Sequence, residues 1–555
     1  MASTTDAAVR EALAPPTSTA GPASGQVETG ARPRAGLVVL SLLISLLFAG
    51  PTIYLVWRNI DLGVDFSETI TSRQTLEPLA RTLLLATAVS LTAAAIGTFL
   101  AWMTTRSDVP GRRLWRIVAP LPLVIPSFVG AAAFLAALAP GGLLADALEP
   151  LGVDRTPQLH GFFGAWLVLS LFTYPYVYLP VAARLVSLPP SLEESARLLG
   201  RRPGSVFRSV VLPQTAPAIW AGGLLVFLYT VSDFGAVELM RYGTLTREIF
   251  ARRLDPATAL PLSLVLAIVA ILVVVGERRI GRRRARIETT RATVALGVPL
   301  GRWRWPAFGA TVLVFALALA APVSVLVVWA IRGLRGDSGS VELATDVGDL
   351  MAPAANTVYV SIAAAVCAVI LVLPVAYLTS RYRSQWGGAT NAMVVGGFAL
   401  PGLVIALALV FWVLGSDIAS SLYQTIPVLV FAYVIHFGAQ AMRASQVAVG
   451  GVPRRLDDAA RILGASRARR FRTVDLPLML PGLAAAAGLV LLSTMKELPA
   501  TLLLAPPNFE TLATRIWSAN ESNYFAQVGL ASLILLSLSG VLTWLLVARR
   551  AERLS

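Results

Sequence analysis

Long apolar runs, broken by short arginine-rich polar stretches, set the pattern of this chain. A hydrocarbon core about 30 Å thick is crossed by about 20 helical residues. Backbone polar groups in lipid must be satisfied within the segment itself, so each long apolar run predicts a membrane-spanning helix. The runs fall roughly at 36–57, 81–103, 117–139, 160–187, 209–231 and 258–276. A second set falls roughly at 307–331, 355–379, 391–415, 421–447, 474–494 and 524–547. The prediction is an all-α polytopic membrane protein with about 12 transmembrane helices, six in each of two sets.

The polar stretches divide the chain. Residues 1–35 are rich in Ala, Ser, Thr, Pro and Gly and carry no apolar block, which predicts a disordered tail. The first apolar run begins too late for the core of a cleaved signal and is long enough to span, so it is expected to be retained. Residues 277–305 form a linker with nine arginines, among them Arg278, Arg279, Arg282, Arg283 and Arg284. The expected organisation is the tail, a first unit over 36–276, the basic linker, and a second unit over 306–555.

Composition agrees with a membrane protein: of 555 residues 56% are hydrophobic and only 14% charged. The net charge of +15 could indicate a nucleic-acid partner, but the basic residues gather in alternate inter-span segments. That is the positive-inside pattern. It predicts both termini on the cytoplasmic side of the cell membrane, with a lipid bilayer rather than nucleic acid as the partner. One cysteine, Cys367, excludes a disulfide framework within the chain. Two histidines, His160 and His436, far apart in sequence, argue against a zinc hydrolase.

Two of the polar stretches are alike. LEESARLLGRRPGSVFRSVVLP (192–213) and LDDAARILGASRARRFRTVDLP (456–477) align without gaps at an offset of 264, with ten of 22 positions identical. The same offset joins Pro217 to Pro481 and Asp233 to Glu497, and an offset of 275 joins Thr82 to Thr357, Arg106 to Arg381 and Pro126 to Pro401. The chain is thus a tandem duplication of a six-helix unit. An even number of spans per unit leaves both copies in one orientation, related by a pseudo-two-fold axis along the membrane normal.

Within the first copy, Leu192, Ala196 and Leu199 fall on one helical face, and Glu194, Arg197 and Arg201 mostly on the other. Gly200 suits a left-handed C-cap, and Pro203 stops the helix. A short surface helix is expected, repeated about the pseudo-axis as two knobs that fit two sockets on a symmetric cytoplasmic dimer. The alternative is a capped loop helix: Ser191 and Glu194 match a capping box. The second copy has Arg455 in place of Ser191 yet keeps Asp458 opposite Glu194, so capping does not account for both acids.

Glu194-Ser195-Ala196 with Gly200, and Asp458-Ala459-Ala460 with Gly464, each followed by Leu-Pro, resemble the EAA loop of binding-protein-dependent ABC importer permeases. Ser195 and Asp458 depart mildly from the family's Ala and Glu. The resemblance implies two tandem six-helix type I ABC permease units fused in one chain. It also implies that the two loops dock into two ABC ATPase subunits, and that an external substrate-binding protein delivers the substrate. The run KELPATLLL (496–504) followed by FETLATR (509–515) resembles ferric-iron importer permeases. Fused permeases for thiamine and split permeases for polyamines or sulfate share parts of the pattern. The implied role is a permease subunit, not an enzyme, with ATP and Mg held by the partner ATPase and no cofactor on this chain.

The chain offers no phosphate-binding loop of its own. Such a loop needs a glycine-rich backbone and a lysine, and the only lysine is Lys496, in STMKELPA. A major-facilitator transporter would share twelve spans in two parallel halves, and Asp108, Gly111, Arg112 and Arg113 partly match that family's loop. Thr104 stands where that loop has Gly, and the second half has only RYRSQWGG. A membrane enzyme would need a cluster of catalytic side chains, and none is evident.

Ionisable groups at membrane depth are expensive and default to functional suspects. Asp233, Lys496 and Glu497, after the fifth span of each half, are candidates for the substrate pathway or for contact with the binding protein. Lys496 and Glu497 are adjacent and would point apart on a regular helix, though Pro499 favours a break there. Tyr174, Tyr176 and Tyr178 have the oxygen chemistry that suits a hard cation, but helix packing is the expected role. His436 is expected to be packed within its span. No metal ligand set can be assigned.

Overall fold

The computed structural model describes residues 33–138, 142–143, 159–284, 297–335, 347–382, 384–397 and 400–551. Of the tail expected over 1–35, residues 1–32 lie outside the described set, as does linker segment 285–296, and the tail's last residue, Ala35, already opens the first helix. Among the described residues the chain is helical, with an isolated β-bridge from Ser107 to Val298. Among those residues ten helices are long and apolar enough to cross a membrane, and two bent helix pairs bring the number to twelve if each pair is one span.

The spans follow the hydropathy closely but run longer. The first covers Ala35–Asp61 and the second Arg73–Thr105; their counterparts are Gly301–Arg335 and Val347–Arg381. The third span of each half, expected as one continuous helix, is broken instead. Arg112–Val124 meets Ser127–Leu138 at 95°, and Gln385–Gly397 meets Gly402–Leu414 at 97°. Pro126 and Pro401 stand at the two breaks. A proline removes a helical N–H and drives the residue before it out of the α region; Ile125 accordingly has φ −80° and ψ 119°.

The fifth spans share a second irregularity. Phe207–Val211 and Phe471–Asp475 are one-turn π-helices at the same place in each repeat. Pro213 and Pro477 follow two residues later, and the extra residue in the turn relieves the clash between a proline ring and the carbonyl four residues back.

The halves interlock. The first span of the first half packs on the second half, where Phe48 lies against Gly438: a Cβ there would sit 2.1 Å from the ring. Ser45 Oγ also donates to the Thr390 carbonyl at 3.3 Å. Reciprocally, Trp329, in the first span of the second half, donates through Nε1 to the Ala136 carbonyl at 3.2 Å. Within each half, the second span carries a threonine that fixes the segment after span five. Thr82 Oγ1 accepts from Leu245 N at 2.9 Å, and Thr357 Oγ1 accepts from Leu512 N at 2.8 Å. These equivalent bonds place the two post-span segments alike about the pseudo-axis.

Candidate functional site: a cavity between the halves and two surface helices

Where the broken third spans meet the fourth and fifth spans of both halves, they line a cavity of about 420 Å³. The first half contributes Leu123, Pro126, Ser127, Tyr176, Tyr229 and Asp233; the second contributes Gly402, His436, Gln440, Arg443, Lys496 and Glu497. The three ionisable residues singled out in the sequence therefore come together in one space. Irregular backbone at membrane depth is tolerated where it lines a cavity, and here both third-span breaks line it.

Asp233 and Glu497 occupy equivalent positions and share a structural task. Each follows the end of span five, Leu212–Ser232 or Leu476–Thr494, and accepts from the start of the next short helix. Asp233 Oδ1 takes Ala236 N at 3.0 Å and Val237 N at 3.4 Å; Glu497 Oε1 takes Ala500 N at 3.0 Å. Their backbone carbonyls accept from Thr246 Oγ1 at 2.7 Å and Thr501 Oγ1 at 2.8 Å. Each residue is 7% exposed. The side chains then differ. Ser127 Oγ donates to Asp233 Oδ2 at 2.5 Å, whereas no side-chain donor among the described residues reaches Glu497.

Lys496 and Glu497 both reach the cavity, contrary to the opposed directions a regular helix would impose. The helix stops at Thr494 and the next begins at Pro499, and the intervening turn frees both side chains. Lys496 Nζ crosses to the first half and donates to the Leu123 carbonyl at 2.9 Å, at the third-span break. Of the tyrosines, Tyr174 donates to the Ala119 carbonyl at 2.9 Å and Tyr178 pairs with Thr104 Oγ1 at 3.1 Å, both inside the first half. Tyr176 instead lines the cavity beside Tyr229. His436, expected to be packed away, also lines it. Among the described residues no three His, Cys, Asp or Glu side chains gather as a metal-binding group.

The two similar polar segments form short helices, Pro190–Leu198 and Arg454–Ile462. Each ends in a Schellman turn. Gly200 N bonds the Arg197 carbonyl at 2.9 Å and Arg201 N the Ala196 carbonyl at 3.2 Å; Gly464 and Ala465 repeat this, both at 3.0 Å. Gly200 and Gly464 have φ of +76° and +77°, the left-handed conformation that glycine adopts without a Cβ penalty. The capping box does not form: Pro189 and Pro453 are the N-caps, with no side-chain cap bond.

The buried face differs from the expected one. Ala196 is buried, but Leu192 is 42% exposed and Leu199 81%. Leu198 and Leu199, and equally Ile462 and Leu463, project outward at 81–88% exposure, while Glu194, Ser195, Asp458 and Ala459 also face out and Ala460 is half-buried. The residue turned inward is Glu193, missed in the sequence. Its Oε1 accepts from Arg106 Nη1 at 2.8 Å, and both side chains are almost wholly buried. Arg106 also donates through Nε and Nη2 to the Leu185 carbonyl at 3.1 and 2.7 Å. In the second half Arg381 lies 3.7 Å from Asp475, and Asp457 lies 3.5 Å from Arg470. The match of Arg106 with Arg381 was the available signal for this pair.

The loop that resembled a major-facilitator element does structural work. Asp108 Oδ1 accepts from Leu300 N at 2.9 Å, and Val298 N donates to the Arg106 carbonyl at 2.7 Å. The end of the linker is thus held against the first half.

Ten span-length helices and two bent pairs among the described residues, arranged in two equivalent halves with a shared cavity and paired glycine-ended surface helices, fit a duplicated transport permease. The chain belongs to the family of binding-protein-dependent transport system inner membrane components, whose model matches twice, over residues 93–283 and 373–553. It is an ABC importer permease. A Haemophilus influenzae Fe(3+)-transport system permease protein is 31% identical over 93% of this chain and 98% of its own length. A sulfate transport system permease from Salmonella typhimurium is 30% identical over 31% of this chain and 61% of its own. A molybdenum transport system permease from Mycobacterium tuberculosis is 34% identical over 33% of this chain and 70% of its own.

Proposed function

We propose that the chain is the permease of a ferric-iron importer, moving Fe(III) from an external binding protein to the cytoplasm with ATP hydrolysed by two partner ATPase subunits. The observation that carries the substrate is the head-to-tail match, through both halves, to a permease named for Fe(3+) transport. The sulfate and molybdenum permeases match only about one third of the chain. The lining itself is mixed in charge: the carboxylates of Asp233 and Glu497 share the cavity with the Lys496 ammonium, engaged by a backbone carbonyl, and with the Arg443 guanidinium, so the substrate reading rests on the full-length match.

The arginine distribution sets the proposed orientation: both termini, the linker and the two short helices face the cytoplasm. Leu198, Leu199, Ile462 and Leu463, exposed as two apolar knobs, then seat in grooves on the two ATPases, with Glu194, Ser195, Ala196, Asp458, Ala459 and Ala460 in or beside the contact and Gly200 and Gly464 fixing the turn. The units proposed are 36–276 and 306–555, joined by the 277–305 linker. A closed ATPase dimer favours the outward-open permease and an open dimer the inward-open one, since a ligand shifts an equilibrium only by its differential affinity. The binding protein captures the substrate, so the cavity needs few strong ligands.

The test is ATP hydrolysis by the assembled complex with its binding protein, offered Fe(III), thiamine, a polyamine, sulfate or molybdate in turn. Stimulation by Fe(III) alone is expected. Stimulation by one of the others and not by Fe(III) refutes the substrate and leaves the importer class standing.

A further inference from the structure

The two halves are alike in fold and unlike where they face the cavity. At the repeat offsets, Ser127 corresponds to Gly402, Phe172 to His436 and Asp233 to Glu497. All six line the same space. In the first half, the shorter acid is fully engaged: one oxygen takes the Ser127 hydroxyl and the other takes two backbone N–H groups. The ring that the first half presents to the cavity at the position of His436 is an inert phenyl, Phe172.

The second half changes all three residues in one chemical direction. Gly402 removes the hydroxyl donor and opens a space. A Cβ at that position would sit 2.7 Å from Glu497 Oε1 and 3.3 Å from His436 Nε2. The extra methylene of Glu497 carries its carboxylate into that space, and an imidazole stands where the first half has Phe172. The carboxylate oxygen and the imidazole nitrogen both face the point that glycine leaves clear, so by those two distances they lie no more than 6.0 Å apart. A carboxylate and an imidazole converging on one space make an oxygen-and-nitrogen donor pair for a metal cation, in a cavity that also holds the hydroxyls of Tyr229 and Ser232 and two cations, Lys496, turned to the Leu123 carbonyl, and Arg443.

We propose that Gly402, His436 and Glu497 form a transit subsite for the metal cation, with Glu497 and His436 as ligands and Gly402 as the residue that makes room. The subsite belongs to the second half alone; Asp233, held on both oxygens by its own donors, positions the first half's turn. Two protein ligands, the remaining positions being left to water, give weak binding, which suits a cation that must leave again. The inference rests on the Fe(III) reading of the substrate given above.

The test converts the second-half set into the first-half set. The double variant Gly402→Ser/Glu497→Asp recreates the acid–hydroxyl pair that the chain already folds around at Ser127 and Asp233. His436→Phe recreates the phenyl ring of the first half. Each is assembled with the ATPase and binding protein in vesicles and assayed for Fe(III) uptake and for ATP hydrolysis stimulated by the loaded binding protein. We expect uptake to fall at least tenfold in both variants, with stimulated hydrolysis kept within about twofold. A helix-capping role alone is satisfied by the shorter carboxylate and predicts normal uptake in the double variant. Normal uptake in either variant overturns the subsite. Wild-type complex that takes up thiamine, a polyamine, sulfate or molybdate, and no iron, overturns the substrate reading instead, so the two failures are distinguishable.

Discussion

At the scale of single residues, the structure assigns firm tasks to side chains whose chemistry alone was ambiguous. Gly200 and Gly464 are selected by backbone conformation and not by crowding: nothing lies within 4 Å of either missing Cβ. A left-handed residue with a side chain is strained by about 1–2 kcal/mol, and a β-branched one more. Gly200→Val with Gly464→Val is therefore expected to unwind the Schellman turns and uncouple ATP hydrolysis from uptake while the protein still inserts. Uptake at the wild-type rate in this double variant rules the role out. Arg106 and Glu193 make the second residue-scale prediction. Removing one partner of a buried pair leaves an uncompensated charge and costs about 3–5 kcal/mol. Arg106→Ala is expected to lower the thermal unfolding midpoint clearly in detergent, and Arg106→Met/Glu193→Leu to restore much of it. An unchanged midpoint for Arg106→Ala contradicts the pairing.

At the scale of elements, the sequence was most legible where composition decides and least where backbone path decides. Twelve apolar runs were readable because lipid imposes a length and a composition on any span. The breaks at Pro126 and Pro401 were not, because hydropathy averages over a window and registers a bent pair as one apolar run. The π-turns at Phe207–Val211 and Phe471–Asp475 escaped for a related reason: they alter register without altering composition. Periodicity also misjudged the short helices. It placed Leu199 inward with Ala196, whereas the partner that orients the first helix is Arg106, 87 positions from Glu193. Such a contact leaves no trace in local spacing. Asp233, Lys496 and Glu497 were legible because charges at membrane depth are rare; Gly402 was not, since its meaning lies in the carboxylate beside it. The threonine ties give an element-scale prediction. Thr82→Val leaves the buried Leu245 N without its acceptor, a loss of about 1–3 kcal/mol. Amide hydrogen exchange over 244–250 is expected to quicken, with Thr357→Val doing the same around Leu512; exchange unchanged in both refutes the tie.

At the scale of the whole molecule, duplication supplies the architecture and divergence between the copies supplies the asymmetry. The first spans cross over to the opposite half, so neither half buries its surface alone, and the cavity exists only where both meet. The paired surface helices predict two contacts with the ATPase dimer. Cysteines at Ser195 and Ala459, in a background lacking Cys367, are expected to crosslink to cysteines in the two ATPase grooves; a crosslink from one site only would refute the two-socket arrangement. The central claim, that this permease carries iron through the cavity between its halves, is tested most directly by transport itself. The wild-type complex, in sealed vesicles with ATP at the ATPase face and iron-loaded binding protein at the other, is predicted to accumulate radiolabelled Fe(III) with a dependence on both. Accumulation of thiamine, a polyamine, sulfate or molybdate without accumulation of Fe(III) would contradict it.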